Sequence, residues 1–251
     1  MDIASRASSR WRLRTARVGL TQLLSTAGCT CEIKNHFFVT TSRNRVIVNV
    51  VSASDPISSS RVPTSNDLSA LASQLNGQLH TGSVMRQVYA TDASAYQELP
   101  LAVAIPEDAT DVRRLIEFAG RYDVGIIPRT AGTSLAGQVV GSGIVVDVSR
   151  TFTEILEIDA EQRWVRCQPG VIRNELNMAL QPHGLMFGPE TSTQNRAMVG
   201  GMLGNNSCGS NSIKFGSVRD HILEVTALLS DGSEAVFKPL SAAEFSQKCD
   251  G

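Results

Sequence analysis

Helices and strands that follow one another without strict alternation place this chain in the α+β class. Three observations carry that prediction: short apolar runs of strand length at 101–105 and 144–148, helical stripes at 110–119 and 171–183, and two runs at 222–230 and 234–237 split by Asp231-Gly232. The 251 residues, 42% hydrophobic and 19% charged, have the composition of a globular chain with room for one large domain or two small ones. No apolar run reaches the ~18 residues that a membrane-spanning helix needs.

Residues 1–63 hold nine Lys or Arg, Arg6, Arg10, Arg12, Arg14 and Arg17 among them, against Asp2, Glu32 and Asp55. That balance of +6 leaves −7 for the remainder of a chain whose net charge is −1. A basic, Ser-rich, acid-poor opening has three readings: an organelle transit segment, a basic tail, or a start site placed too far upstream. Otherwise a cytoplasmic location is expected. The stretch 52–66 carries too little apolar surface to offset the entropy of ordering it, so 1–63 is read as a disordered extension and 64–251 as the folded domain.

Asp67 is expected to cap a helix whose Leu68, Leu71, Ala72 and Leu75 share one face and which Gly77 ends. Strand 101–105 follows, then a helix capped by Thr110 with Val112, Leu115, Ile116 and Ala119 on its stripe, then strand 125–127, together a βαβ unit. Strands at 144–148, 154–158 and 164–167 precede a helix from about Val171 to His183, with Leu176, Ala179 and Leu180 inward and Gly184 closing it. The 222–237 hairpin and a helix beginning near Ser241 complete the elements.

Between two of those strands lies Pro128-Arg-Thr-Ala-Gly-Thr-Ser-Leu-Ala-Gly-Gln138. Gly132 and Gly137 allow a close backbone approach, and Thr130, Thr133 and Ser134 add hydroxyls to the backbone N–H groups, the makings of a diphosphate cradle. Gly132 and Gly137 have P-loop spacing, but Gln138 stands where the phosphate-reaching lysine belongs. Ser210 fails in the same way after Gly204 and Gly209, so the NTPase reading is rejected. Gly137, Gly141 and Gly143 lead into a strand with the wrong spacing for a Rossmann loop, which removes the nicotinamide reading.

A second stretch, 188–221, is poor in large apolar residues and dense in Gly, Ser, Thr and Asn. Gly200-Gly201 is open to a plainer reading as a close helix–strand crossing, and Asn205, Asn206 and Asn211 as turn residues. Two such stretches nevertheless argue for one extended ligand touched from both sides, of dinucleotide length. The cysteines (Cys29, Cys31, Cys167, Cys208, Cys249) are too scattered for a disulfide scaffold or a metal site, and Cys208 is read as a small buried thiol. His183, at a predicted helix end, and His221, opening a predicted strand, are not assigned as bases.

Together, Pro128–Gln138, Gly188–His221 and the lead-in Tyr89-Ala-Thr-Asp92 with Tyr96 resemble the FAD-binding domain of the vanillyl-alcohol-oxidase and p-cresol-methylhydroxylase type. The branch is that of D-lactate dehydrogenases, the glycolate oxidase flavin subunit and D-2-hydroxyglutarate dehydrogenases. The resemblance spans 88–237 and is greatest to large bacterial members that carry a C-terminal iron–sulfur module. It implies two α/β subdomains with the cofactor between them. It also implies that Pro128, Arg129, Thr130, Ala131, Gly132, Thr133 and Ser134 wrap the pyrophosphate and that Gly137 and Gln138 continue toward the flavin.

By the same resemblance Pro189, Glu190, Thr191, Ser192 and Thr193 lie beside the flavin and ribityl chain. Gly200, Gly201, Asn205, Ser207 and Gly209 approach the phosphates and ring, and Phe215, Gly216, Val218 and Ile222 border the adenine. Arg129, Arg196, Lys214 and Arg219 either offset the pyrophosphate or are solvated surface groups. Relatives that attach FAD covalently often have a histidine in the first loop; here there is Thr133, so non-covalent FAD is expected. The implied reaction is hydride transfer from a D-2-hydroxy acid to flavin N5, with the catalytic base unassigned, no metal and no nucleic-acid partner. In the family the substrate domain lies beyond this segment, so the chain reads as a truncated N-terminal part. It would then be catalytic only with further polypeptide, or an FAD-binding fragment without turnover.

Overall fold

The computed structural model describes residues 62–249. The basic opening, Cys29-Thr-Cys31 and the predicted linker up to residue 61 lie outside the described residues.

Helix α1 (Ser65–Ala72) is capped by Thr64 rather than Asp67. Asp67 sits three residues in, its carboxylate accepting the Thr64 N–H at 2.8 Å while the Thr64 hydroxyl accepts the Asp67 N–H at 3.3 Å. The two ends of this capping box satisfy each other. Strand β1 (Gln78–His80) and helix α2 (Ser83–Val88) were not expected, being too short to show a period.

Strands β2 (Ala102–Ile105), β3 (Ile126–Arg129) and β4 (Ile144–Asp147) are parallel, and β1 joins antiparallel, giving the order β1-β2-β4-β3. The predicted βαβ unit is therefore opened by β4, which inserts between its two strands. Side chains alternate across this sheet. Ala102, Ala104, Ile144 and Val146 pack with Leu68, Leu71, Leu115 and Phe118, while Val103 and Val145 face Tyr89 on the other side. Burial on both faces explains why β2 and β4 read as unbroken apolar runs.

Helix α3 (Ala109–Tyr122) is capped by Asp108, not Thr110: one carboxylate oxygen accepts the Thr110 and Asp111 N–H groups at 2.7 and 2.9 Å. The Asp111 N–H above all holds the Asp108 carboxyl below the ordinary carboxylate range. Phe118, absent from the predicted stripe, is buried in place of Val112 and Ile116. Asp111 is fully buried, and its carboxylate accepts the N–H groups of Asn76, Gly77 and Glu107. Those bonds fasten the chain entering β1 to the start of α3.

Strands β5 (Ile155–Asp159) and β6 (Trp164–Cys167) form an antiparallel ribbon. It packs on Val171, Leu176 and Leu180 of the segment carrying helix α4 (Arg173–Leu180), which starts two residues later than predicted and runs into a 3-10 turn ended by Gly184. The stretch read as loop holds short helices α5 (Val199–Gly204) and α6 (Ser212–Phe215). The predicted strand 222–230 contracts to β7 (Val225–Leu228), paired with β8 (Glu234–Phe237), and α7 (Ala242–Cys249) follows. His221 ends a 3-10 turn instead of opening a strand, and Cys208 is exposed where a buried thiol was expected. Among the described cysteines Cys167 is the half-buried one, packed in the α4 core, where burial pushes its thiol pKa up.

Candidate functional site

Parallel strands β3 and β4 need a crossover, and residues 130–143 provide it without a helix. The loop thus leaves the carboxyl end of a parallel strand, where open sheets of this kind bind ligands. Gly132 has φ +65°, a left-handed conformation that glycine adopts without strain. Among the described residues no acceptor takes the backbone N–H groups of Ala131, Gly132, Thr133 or Ser134. Consecutive unpaired N–H donors in a glycine-containing turn have the chemistry of an anion nest.

The loop closes on itself past that point. The Ser134 hydroxyl donates to the Gln138 side-chain carbonyl at 2.8 Å and accepts the Ala136 and Gln138 N–H groups at 3.2 and 3.4 Å. At the other end, Pro128 is exposed, while the Arg129 guanidinium is turned back onto the protein, donating to the Thr91 carbonyl at 2.8 Å. The other three cations considered for the diphosphate, Arg196, Lys214 and Arg219, are exposed.

The second segment is held by two side chains of α4 that the sequence reading passed over. Arg173 is 7% exposed and donates to the carbonyls of Pro189 and Phe187 and to the Gln194 side chain, at 3.1, 3.3 and 2.7 Å. Asn177 accepts the Phe187 N–H at 2.7 Å and donates to the Phe187 carbonyl. A charge three residues before Leu176, on the inward stripe of α4, was the available signal for Arg173. Glu190 is fixed in turn by a hydrogen bond from Asn211, and its carbonyl packs on Gly209.

Pro189 is buried, Glu190, Thr191 and Thr193 are half-buried, and Ser192 is exposed. The Thr193 carbonyl accepts the Arg196 and Ala197 N–H groups. Gly200 donates to the Pro169 carbonyl at 2.8 Å and has no room for a Cβ beside the Pro169 ring, so the close approach is to the turn between β6 and α4 and not to a strand. Asn205 donates to the Ser207 hydroxyl, and the buried Ser207 carbonyl accepts the Val218 N–H at 3.0 Å. Val218 is fully buried with Ala197 and Met202, and Ile222 packs against that cluster. Phe215 lies against Gly188, and Gly216 has φ +69°. No hydrogen bond among the described residues joins Phe215, Gly216, Val218 or Ile222 to the first loop.

What joins the two segments is Gly201 of α5, whose missing side chain leaves room for the Thr130 hydroxyl. Close by in sequence, the Thr191 hydroxyl is buried without a hydrogen-bond partner. A buried orphan hydroxyl is costly unless a ligand completes it. Unpaired N–H groups on one loop, an orphan hydroxyl on the other and a close contact between them that Gly201 allows fit a long diphosphate ligand such as FAD. Among the described residues no group of three or more His, Cys, Asp or Glu side chains converges as a metal site, and no helix is long and apolar enough to cross a membrane.

Residues 100–237 match the family described as FAD binding domain. The chain is 44% identical over 180 residues to D-2-hydroxyglutarate dehydrogenase of Pseudomonas putida, covering 70% of this chain and 18% of that protein. It is 33% identical over 149 residues to the glycolate oxidase subunit GlcD of Bacillus subtilis, covering 59% and 32%. The structure of Physcomitrella patens BBE-like 1, variant D396N, superposes with a TM-score of 0.60 at 20% identity, covering 73% of this chain and 40% of that one. This chain thus spans less than a third of the length of either of those two relatives. The match covers more than half of the chain and includes both loops and the strands that hold them: the protein belongs to the FAD-binding domain family, with FAD as its cofactor.

Proposed function

We propose that this domain is the flavin-holding part of an oxidoreductase that acts on a D-2-hydroxy acid of the D-2-hydroxyglutarate, D-lactate or glycolate class. The observation that carries the reading is the meeting of Thr130 and Gly201, which brings the two Gly-rich segments together; the unpaired N–H groups of 131–134 and the orphan Thr191 hydroxyl support it. The named activities of the relatives supply the substrate class. When bound, FAD supplies a hydride acceptor for the carbon bearing the substrate hydroxyl.

The residues of this chain bind and orient. N–H groups of 131–134 hold the diphosphate, with Gly137 and Gln138 continuing the same wall. Pro189–Thr193 (189–193) border the ribityl chain, Thr191 donating its hydroxyl, and Gly200, Gly201, Asn205, Ser207 and Gly209 keep the backbone close. No described residue is assigned as the base, and the groups that hold the substrate are proposed to come from further polypeptide, in the same chain or a partner subunit.

Attachment is non-covalent in this reading, because the first loop offers Thr133 and no histidine. The test is spectroscopic: the purified chain, given FAD and passed through a desalting column, should retain the absorbance of bound flavin. A colourless protein sinks the reading. Acid precipitation should then release all the flavin, and a yellow pellet would contradict non-covalent attachment. Anaerobic bleaching by D-2-hydroxyglutarate or D-lactate would show turnover in the chain itself, and bound flavin that keeps its colour would mark a binding module that needs further polypeptide. We also place the protein in the cytoplasm; residues 1–63 fused to a fluorescent reporter that then enters an organelle would overturn that.

A further inference from the structure

The diphosphate loop rests on one stretch of chain, residues 89–96. Arg129, the last residue of β3, donates from Nη1 to the Thr91 carbonyl at 2.8 Å, and its guanidinium carbon lies 5.1 Å from the centre of the Tyr89 ring. Tyr89 donates its hydroxyl at 2.6 Å to the buried carboxylate of Asp147, the residue paired with Arg129 across β3 and β4. The Ala93 N–H donates to the Gly132 carbonyl at 3.1 Å. A Cβ on Gly132 would come within 2.5 Å of Arg129 Nη2, so the guanidinium fills the space beneath the turn.

We infer that Arg129 is a positioning residue: clamped on Tyr89 and Thr91, it holds the backbone of 130–134 in the shape that leaves its N–H groups unpaired. This rests on the FAD reading above. The clamp needs a planar cation that can lie on a ring face and donate sideways to a carbonyl at once, which a guanidinium does and an ammonium does not. Asp147 supports it from the far end, because a phenol donating to a carboxylate has a more electron-rich ring for the cation. Arg129 therefore acts on the diphosphate through the loop and not by placing its own charge there.

The test uses the full chain with Arg129→Gln, Arg129→Lys, Tyr89→Leu and the Arg129→Gln/Tyr89→Leu pair, with thermal melts as a check on folding. Deuterium uptake in peptides covering 130–138 and 173–180 is followed without FAD, and FAD affinity is titrated by flavin fluorescence. Each single change is expected to speed exchange in 130–138 by about fivefold or more while α4 is unaffected. Each should weaken FAD about tenfold, with Arg129→Lys no better than Arg129→Gln and the pair no worse than either single change, because all break one unit. The Arg129 changes lie at a half-buried strand end and keep the test decisive if Tyr89→Leu does not fold.

Loop exchange unchanged in Arg129→Gln, or effects of the pair that multiply, would overturn the inference. A loss of FAD affinity that Arg129→Lys restores, with exchange unchanged, would instead put the charge of Arg129 directly on the diphosphate. A parent chain that never takes up FAD would defeat the cofactor reading, while the exchange comparison would still decide the clamp.

Discussion

A Cβ on Gly201 would stand 2.5 Å from the Thr130 hydroxyl oxygen, so the two loops meet at a point where one of them has no side chain. An alanine inside a helix normally gains ~0.5–1 kcal/mol over glycine. Forcing a methyl group into a filled space costs ~1–3 kcal/mol, and here the second effect wins. Gly201→Ala should destabilise the protein by about 1–2 kcal/mol in urea denaturation. Adding Thr130→Ala should restore most of it, because the new methyl would then lie 3.8 Å from the Cβ of residue 130, an ordinary contact. A Gly201→Ala protein as stable as its parent would show that the loops do not touch here.

Gly209 admits no such rescue. Its added Cβ would lie 1.4 Å from the Glu190 carbonyl oxygen, a backbone atom that no rotamer change can move. Gly209→Ala should cost about 3 kcal/mol or more and abolish flavin uptake, since it displaces the 189–193 segment. Gly204→Ala is the control: nothing lies within 4 Å of its Cβ position, and its stability should be equal to the parent or higher. Chemical denaturation of the two variants side by side separates close approach from a general intolerance of the segment to change.

Arg173 is buried, has no carboxylate partner among the described residues and is spent on neutral acceptors. Replacing it by Met keeps the bulk and removes the donors, leaving the Pro189 carbonyl and Gln194 side chain unpaired; the expected loss is about 3 kcal/mol. Arg173→Lys should recover little, because one ammonium cannot reach acceptors spread around a planar fork. Thermal melts that rank Lys close to Arg would contradict this geometry.

Tyr89 makes stability depend on alkaline pH. Burial, and then the hydrogen bond to Asp147, push its phenol from 10.0 up to about 12. The folded protein therefore keeps this proton over a range where the unfolded chain has lost it. Stability from the group is complete below pH 10 and falls as pH rises from 10 toward 12. Tyr89→Phe lacks the titration, so its stability deficit relative to the parent should shrink between pH 9 and pH 11.5 in urea melts. A deficit constant across that range would show that the phenol is not held neutral by the fold.

The sequence alone determined the elements whose side chains repeat: α3, α4, β2, β4, the β5–β6 ribbon and the 222–237 hairpin all lie within a few residues of their predicted places. It also determined that two segments are rich in Gly, Ser and Thr and poor in large apolar residues, because composition and spacing are local properties, but not that Ala197, Met202 and Val218 of the second would form a small core of their own. It misplaced caps by a few residues, Thr64 for Asp67 and Asp108 for Thr110, since several neighbouring side chains are chemically able to cap. It overlooked β1, α2, α5 and α6, which are too short for a period to register.

Only the tertiary structure decided which residues face which. The insertion of β4 between β2 and β3, the turning of Arg129 inward onto Tyr89, the spending of Arg173 on the 187–194 segment and the exposure of Cys208 depend on groups distant in sequence. The meeting of Thr130 with Gly201 is of the same kind. Local pattern encodes which face of an element avoids water, but the partner that covers it is set by sheet order and by where a side chain can be left out.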